Sequence, residues 1–173
     1  MPTPTDIPPP SIGYLVWHLT LRWRAELDRA LASLGLTSAQ YAVLASLYGL
    51  SQGGVRPSQR ELADFAGLEP MHVSKLIRAL ERAGLVERAG NPADTRAVQL
   101  HVTDRGVQVV TAGRATVLQL EEQRLVPLGG RQSQRSAELR EALLVLLRHT
   151  EATSSASEGS AAAQPAPTVP GSR

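Results

Sequence analysis

Between residues 56 and 105, signals that begin a helix alternate with signals that end one, and this pattern restricts the possible folds more than any other feature. Ser58 is followed three residues later by Glu61, a capping box in which a hydroxyl and a carboxylate each bond a free backbone N–H. Gly67 can end that helix at positive φ, and Pro70 suits the first turn of the next helix. Two short helices joined by a glycine-containing turn predict a helix-turn-helix unit.

The second helix of this unit has two different sides. Its apolar residues recur at helical spacing and are expected to face the core: Val73, Leu76, Ile77 and Leu80. Its other side carries residues that can bond base edges or phosphates, or touch a thymine methyl group: Met71, His72, Ser74, Lys75 and Arg78. Because the polar face of an amphipathic helix is most often only solvated, this helix alone does not establish contact with DNA.

A β-hairpin is predicted directly after the second helix. Gly84 ends the helix, and Leu85–Val86 begins a strand that is expected to end at Arg88. Gly90–Asn91–Pro92 has the composition of a turn. A second strand is predicted beyond Arg96, with one buried face formed by Val98, Leu100 and Val102.

The predicted hairpin carries two arginines, Arg88 and Arg96. An arginine at a hairpin tip suits a narrow, electronegative minor groove. Asp94 lies two residues before Arg96 and can orient its guanidinium through a charge-assisted hydrogen bond. The alternative is an ordinary exposed ion pair, worth about 0–1 kcal/mol. The position beside the second helix favours the DNA-binding interpretation.

Three segments resemble the MarR (multiple antibiotic resistance regulator) family of transcription factors. They are LTSAQYAVLASL at 36–47, QRELADFAGLEPMHVSKLIRALERAGLVER at 59–88 and NPADTRAVQLHVTDRG at 91–106, and the resemblance extends over roughly residues 11 to 150. It implies a homodimer with a recognition helix in the major groove and a wing arginine in the minor groove. It also implies a small-molecule pocket between the dimerisation and DNA-binding parts.

The resemblance assigns DNA-binding roles by position. The groove-facing residues of the recognition helix are Met71, His72, Ser74, Lys75 and Arg78, and Asp94 and Arg96 match the family's Asp-x-Arg wing signature. Glu69 departs from the family pattern, because a Ser or Thr cap is usual there.

The predicted fold class is mainly α with a small β-hairpin wing, in which a winged helix-turn-helix domain is combined with helices that dimerise. The predicted parts are a Pro-rich disordered arm at 1–10, a single domain at 11–150 and a disordered tail at 151–173. Within the domain, 36–102 is the winged helix-turn-helix, and 11–34 and 103–149 are dimerisation helices.

The terminal helices are expected to join two chains. The last helix, predicted at about 132–149, is too apolar to face water, since it contains Leu139, Leu143, Leu144, Leu146 and Leu147. The preceding helix, capped by Thr103, is expected to carry Val107, Val110, Val117 and Leu125 toward a partner. The alternative is that these helices fold back on their own domain. A symmetric dimer, the commonest form of oligomer, is the favoured interpretation.

Five of the six aromatic residues fall in the first two predicted helices. Rings with polar tips suit a pocket for a flat, amphipathic ligand, although a core of small aliphatic residues would also place its rings there. The predicted ligand-binding residues are Tyr14, Trp17, His18 and Tyr41.

Composition excludes several classes of function. Cysteine is absent, so disulfides and thiol-based sensing are excluded. No nucleophile elbow, Walker loop or dinucleotide fingerprint is present, so we predict neither an enzyme nor a cofactor. The four histidines show no metal-binding spacing. No apolar run reaches about 18 residues and no secretory signal is recognisable, so we expect a cytoplasmic protein without membrane contact.

The expected function is that of a homodimeric, sequence-specific DNA-binding regulator of transcription. It should bind a pseudo-palindromic duplex and act as a repressor that a small aromatic or amphipathic ligand releases. The net charge is only +2, and residues 56–105 carry eight Lys and Arg against seven Asp and Glu, so the distribution of charge must serve DNA binding. The alternatives are a winged-helix protein-interaction scaffold and a DNA-binding protein without a ligand.

Overall fold

The computed structural model describes the backbone of residues 9–91 and 94–161, and the side chains of residues 9–90 and 98–150. It is mainly helical with one two-stranded antiparallel sheet, which confirms the predicted fold class. The elements are α1 (Ile12–Leu31), α2 (Ser38–Gln52), α3 (Gln59–Ala66), α4 (Pro70–Arg82), β1 (Val86–Asn91), β2 (Asp94–Val102), α5 (Asp104–Leu125) and α6 (Gln134–Ala161). Short 3₁₀ turns follow α1 at Ala32–Leu34 and α5 at Val126–Leu128. The chain divides into two compact units, and the division falls between Leu120 and Glu121.

Local capping chemistry sets the ends of α2, α3 and α4. Ser58 forms both hydrogen bonds of the capping box predicted for it, and Thr37 forms the same pair of bonds with Gln40 at the start of α2. Gly67 follows α3 in the left-handed region at φ 62°, and Pro70 is the first residue of α4. The helix-turn-helix therefore has the predicted boundaries.

The core of the first unit lies where α2, α3 and α4 meet the sheet. Its buried residues are Leu31, Leu36, Val43, Leu44, Leu47, Leu62, Ala63, Val73, Ile77, Leu80, Leu85, Val86, Leu100 and Val110. The buried face predicted for α4 is confirmed, with Leu76 partly buried at its edge. The Leu100 N–H donates to the Pro57 carbonyl at 2.9 Å, which ties the sheet to the start of α3.

The first turn of α5 docks on the end of α4 and the start of β1. Thr103 Oγ1 donates to the Gly84 carbonyl at 2.7 Å and accepts from the Gly106 N–H at 3.0 Å. A Cβ at position 106 would collide with the Leu85 carbonyl oxygen, so this approach requires glycine. Val110, predicted to face a partner, is instead buried in the core of its own chain, because α5 lies beside α2 at this point. Leu125, predicted to face a partner as well, is also buried within its own chain.

The hairpin is longer than the sequence predicts. Strand β1 continues through Gly90 and Asn91, predicted to be a turn, so Arg88 lies in mid-strand. Strand β2 already begins at Asp94. Val98, predicted to be buried, is 48% exposed, because its cross-strand partner is Gly90, which has no side chain to cover it. Pro92 lies outside the described residues.

The spacing of Leu62 and Phe65 predicts that both lie on one apolar side of α3, but Phe65 does not reach the core. It is 61% exposed, whereas Leu62 and Ala63 are buried. At about 100° per residue, the Phe65 side chain is rotated by about 200° around the helix axis from that of Ala63. The two side chains therefore point in nearly opposite directions, and of the two only Ala63 faces the core.

In the second unit, serine hydroxyls organise the turn between α5 and α6. The buried Ser136 hydroxyl donates to the Gly130 carbonyl at 2.8 Å, and the Ser133 hydroxyl donates to the Leu128 carbonyl at 2.8 Å. Helix α6 then runs to Ala161, past the predicted end at 149, so residues 151–161 of the predicted disordered tail are helical. The first proline after α6 is Pro165, and the Ala- and Ser-rich segment before it contains no strong helix breaker apart from Gly159.

Among the described residues, no single helix is both long and apolar enough to cross a membrane. Only a pair of helical segments that bends by 73°, Ile12–Leu34 with Ser38–Gln52, meets that length and hydropathy together.

Candidate nucleic-acid interface

Helix α4 presents one exposed side made of the residues singled out in the sequence. Met71 is 71% exposed, and His72, Lys75 and Arg78 are also exposed, while Ser74 is half-buried beside them. The opposite side is anchored in the core, so the orientation of this exposed side relative to the domain is fixed. The structure thus brings all five predicted residues of the recognition helix onto one surface.

Arg78 is held along the surface of α4 by the residue one turn before it. Its Nη2 donates to the Ser74 hydroxyl at 3.0 Å, and its Nε donates to the Ser74 carbonyl at 3.3 Å. These bonds restrict the guanidinium before any ligand is bound, and they use donors that a base edge or phosphate would otherwise accept.

The N-terminus of α4 lies at one end of the same exposed side. Glu69 occupies the N-cap position and makes no capping hydrogen bond through its side chain in the described part of the chain. Pro70 has no backbone N–H, and the His72 and Val73 N–H groups donate to the Glu69 carbonyl at 2.9 and 3.0 Å. Glu69 therefore satisfies the first turn of α4 through its backbone carbonyl and not through its side chain.

The predicted wing pair, Asp94 and Arg96, lies in the second strand of the hairpin. The backbone places Asp94 and Arg96 in β2, with Asp94 opposite Asn91, but both side chains lie outside the described residues. Their contact with each other and with DNA stays a prediction.

Arg88, the other predicted arginine of the hairpin, has partners within its own chain. Its Nε pairs with Glu81 Oε1 at 2.8 Å, and its Nη2 donates to Gln59 Oε1 at 3.3 Å. The structure therefore holds the Arg88 guanidinium between α3 and α4 through two side-chain contacts.

A cleft of about 440 Å³ lies between α2 and α5 of the first unit. Its lining residues are Tyr41, Ala45, Tyr48, Gly49, Gln52, Val110, Thr111 and Arg114. Burial raises the pKa of the Tyr41 phenol, and the nearby Arg114 guanidinium acts in the opposite direction. The Tyr41 ring also packs against Gly113, where a Cβ would stand 2.7 Å from Cε2 of the ring. At neutral pH the cleft thus offers an un-ionised phenol and a fixed positive charge.

Only one of the four predicted ligand-binding residues borders this cleft. Tyr14, Trp17 and His18 lie on α1, where the His18 ring centroid stands 4.2 Å from that of Tyr14 and 4.7 Å from that of Trp17. Tyr14 and Trp17 are exposed. The structure therefore places Tyr41 in the cleft and the other three residues in a separate aromatic group.

The other lining residues of α2 were missed although the sequence contains a signal for them. Tyr41, Ala45, Tyr48 and Gln52 recur at spacings of four, three and four residues, which places them along one side of a helix. The predicted ligand site was based on aromatic residue type and did not use this helical spacing. Arg114 lies 73 positions beyond Tyr41 in the chain, so only the tertiary structure brings it to the cleft.

No group of three potential metal ligands occurs within the described ranges, 9–91 and 94–161.

Comparison with known proteins relates the chain to a family of regulators. The sequence model of the MarR family matches residues 36–98. YdcH of Bacillus subtilis, named as an uncharacterized HTH-type transcriptional regulator, is 36% identical over 115 residues, which are 66% of this chain and 78% of YdcH. The HTH-type transcriptional repressor Rv2887 of Mycobacterium tuberculosis is 32% identical over 106 residues, 61% of this chain and 73% of that protein.

A solved structure supports the same relation. The transcriptional repressor CouR bound to a 23-mer DNA duplex superposes with a TM-score of 0.64 at 29% identity, covering 82% of this chain and 92% of CouR.

Proposed function

The chain belongs to the MarR family, whose members are DNA-binding transcriptional regulators and not enzymes, and from that premise we propose a homodimeric repressor that a small aromatic ligand releases from DNA. The observation that carries the proposal is the exposed side of α4, where His72, Lys75 and Arg78 project away from the face that is packed in the core. A helix held in this way can enter a major groove with its polar side chains against base edges.

The proposed dimer rests on apolar surface that a single chain leaves uncovered. On α1 the exposed apolar residues are Ile12, Tyr14, Leu15, Val16, Trp17, Leu19 and Leu21. On α6 they are Leu139, Leu143, Leu144, Val145, Leu146 and Leu147. Isolated exposed leucines are ordinary, but two helices that each leave six or more apolar side chains exposed indicate an interface. A second copy of the chain would cover both helices symmetrically.

Repression is supported by the relatives. Rv2887 and CouR are both named as transcriptional repressors, and the CouR structure contains a DNA duplex. A dimer that occupies an operator overlapping a promoter blocks access to that promoter. Because its two half-sites are bound together, the complex lasts longer than one with a single half-site.

The cleft between α2 and α5 supports the proposed release by a ligand. Its volume of about 440 Å³ lies within the range of small-molecule sites. Arg114 suits a carboxylate, and the Tyr41 and Tyr48 rings suit an aromatic body. Helix α5 connects this cleft to the docking site on the end of α4, so a ligand that favours one position of α5 would change the placement of α4.

The DNA-binding part of the proposal is tested by affinity and sequence preference. We expect the full-length protein to bind duplexes selected from random sequence, with Lys75→Ala or His72→Ala changing the preferred bases more than the total affinity. Arg96→Ala should weaken binding strongly while helicity and mass stay intact. An interaction scaffold, the main alternative, would bind no duplex even at low salt.

The release part is tested with matched ligands. Benzoate and hydroxybenzoates should weaken the protein–DNA complex, benzyl alcohol should act much less because it lacks the charge, and Arg114→Gln should abolish the difference between them. If no member of this series changes the affinity for DNA, the protein binds DNA independently of aromatic acids.

A further inference from the structure

The alternation of strand β1 places Arg88 on the side of the sheet that faces the helices. Val86, two residues earlier, is buried in the core, and the cross-strand partner of Arg88 is the buried Leu100. Because opposite residues of an antiparallel pair share a face, the Arg88 side chain leaves the sheet on the core side. Glu87 and His101, the neighbouring pair, occupy the other face.

On that side the Arg88 guanidinium reaches two helices at once. It pairs with Glu81 in the last turn of α4 at 2.8 Å and donates to Gln59 in the first turn of α3 at 3.3 Å. The side chains of Arg88 and Glu81 are only 39% and 27% exposed. One planar group with several fixed donors thus links the wing strand, the recognition helix and the helix before it.

We propose that Arg88 is a positioning residue for DNA recognition, which fixes the end of α4 relative to the wing, and that it does not contact phosphate. The proposal deepens the DNA-binding function proposed above and rests on it. If Arg88 turned to a phosphate, it would leave the half-buried Glu81 carboxylate unpaired close to a polyanion. Keeping the pair intact avoids that cost and holds the two DNA-contacting elements in register.

The proposal predicts that loss of the Glu81 charge changes DNA affinity in the direction opposite to that expected from charge repulsion alone. Removing a carboxylate near DNA should strengthen binding, yet Glu81→Gln is expected to weaken it because Arg88 loses its anchor. Glu87→Gln, an exposed carboxylate on the outer face of the same strand, is the matched control and should leave binding unchanged or slightly tighter. Arg82→Gln, an exposed cation in the last turn of α4, is the control for loss of positive charge.

The experiment measures fluorescence anisotropy of a selected duplex with full-length protein over a series of salt concentrations, after circular dichroism has shown each variant to be folded. Arg88→Gln and Glu81→Gln should each weaken binding about two- to fivefold, the range of an exposed ion pair. The double variant should be no weaker than the weaker single variant, because both changes remove one contact. The slope of log affinity against log salt should equal that of the wild type.

The charge-reversed pair, Glu81→Arg with Arg88→Glu, should recover affinity that either reversal alone loses. A slope that flattens by about 0.9 in Arg88→Gln, together with tighter binding by Glu81→Gln, would make Arg88 a phosphate contact and overturn the proposal. Failure of the wild type and Arg82→Gln to bind any duplex would instead overturn the DNA-binding function itself, so the two failures are distinguishable.

Discussion

Individual glycines set how closely α5 approaches the rest of the first unit. Gly106 lies against the Leu85 carbonyl, and Gly113 lies against the Tyr41 ring. Neither residue has a positive φ, so the requirement comes from space and not from backbone conformation. The absence of a side chain at these two positions allows one helix to contact both the sheet and α2.

Gly113→Ala should destabilise the fold. Its Cβ would stand 2.7 Å from Cε2 of Tyr41 and 2.8 Å from Cδ2, and overpacking of this kind costs about 1–3 kcal/mol. Gly49→Ala is the control, because nothing lies within 4 Å of its added Cβ and it is also helical. We expect that control to gain up to about 1 kcal/mol in urea unfolding. Equal stability of the two variants would contradict the packing described for Tyr41.

Residue-level prediction from the sequence succeeds where the cause is local and fails where it is tertiary. The buried face of α4 follows from helical spacing alone, so Val73, Ile77 and Leu80 are predicted correctly. The sequence predicts that the first strand ends at Arg88, whereas β1 continues to Asn91. The same alternation that marks Val86 as buried could have placed Arg88 on the core side, but its partner Glu81 is visible only in the fold.

At the scale of elements, α1 stabilises the start of α2 through one carboxylate. Asp28 Oδ1 accepts from the Ser38 N–H at 2.6 Å, at the positive end of the α2 dipole. Hydrogen bonds from Ser38, first from its backbone N–H and then from its side chain, lower the pKa of Asp28, with a smaller contribution in the same direction from Arg24.

This lowered pKa makes the stabilisation by Asp28 depend on pH. Because the folded value is below the unfolded value of about 3.9, the contribution is fully present above that pH and is lost as the pH falls through the folded pKa. Asp28→Asn keeps an acceptor oxygen but no charge. We therefore expect the variant to be less stable than the wild type in urea unfolding at pH 7, and the difference between the two to shrink progressively as the pH falls below about 3.9. A difference that stays constant as the pH falls below this value and through the acid-unfolding range would exclude the carboxylate charge as its cause.

The ends of helices could be predicted where capping residues mark them in the sequence. The predicted start of α3 agrees with the structure because Ser58 forms a complete capping box, and Thr37 marks the start of α2 by the same chemistry. Strand ends depend on pairing with another segment, so β1 and β2 both extend past their predicted limits. The predicted end of α6 at 149 is too early, because an Ala- and Ser-rich composition is compatible with a helix as well as with disorder.

At the scale of the whole molecule, the proposed DNA-binding protein is a dimer of two identical chains. Leu143→Glu together with Leu147→Glu should convert the protein to a monomer in sedimentation velocity, because two charges on an apolar interface carry a large desolvation penalty. Glu141→Lys, an exposed change on the same helix, should leave the mass unchanged. A wild type that sediments as a monomer at micromolar concentration would remove the dimer from the account.

The proposed effector site, the cleft between α2 and α5, could be predicted from the sequence only in part. A pocket was predicted from the distribution of aromatic rings, and the structure contains a cleft, but only Tyr41 belongs to both. The remaining lining residues come from two helices far apart in the chain, and their proximity is a property of the fold.

The central claim is that paired α4 helices recognise a symmetric duplex, and selection of binding sites by the full-length protein from random DNA tests it most directly. The account predicts an enriched site that reads alike on both strands, with half-sites centred about 10 bp apart and two chains bound per duplex. An enriched site without symmetry, occupied by a single chain, would contradict it.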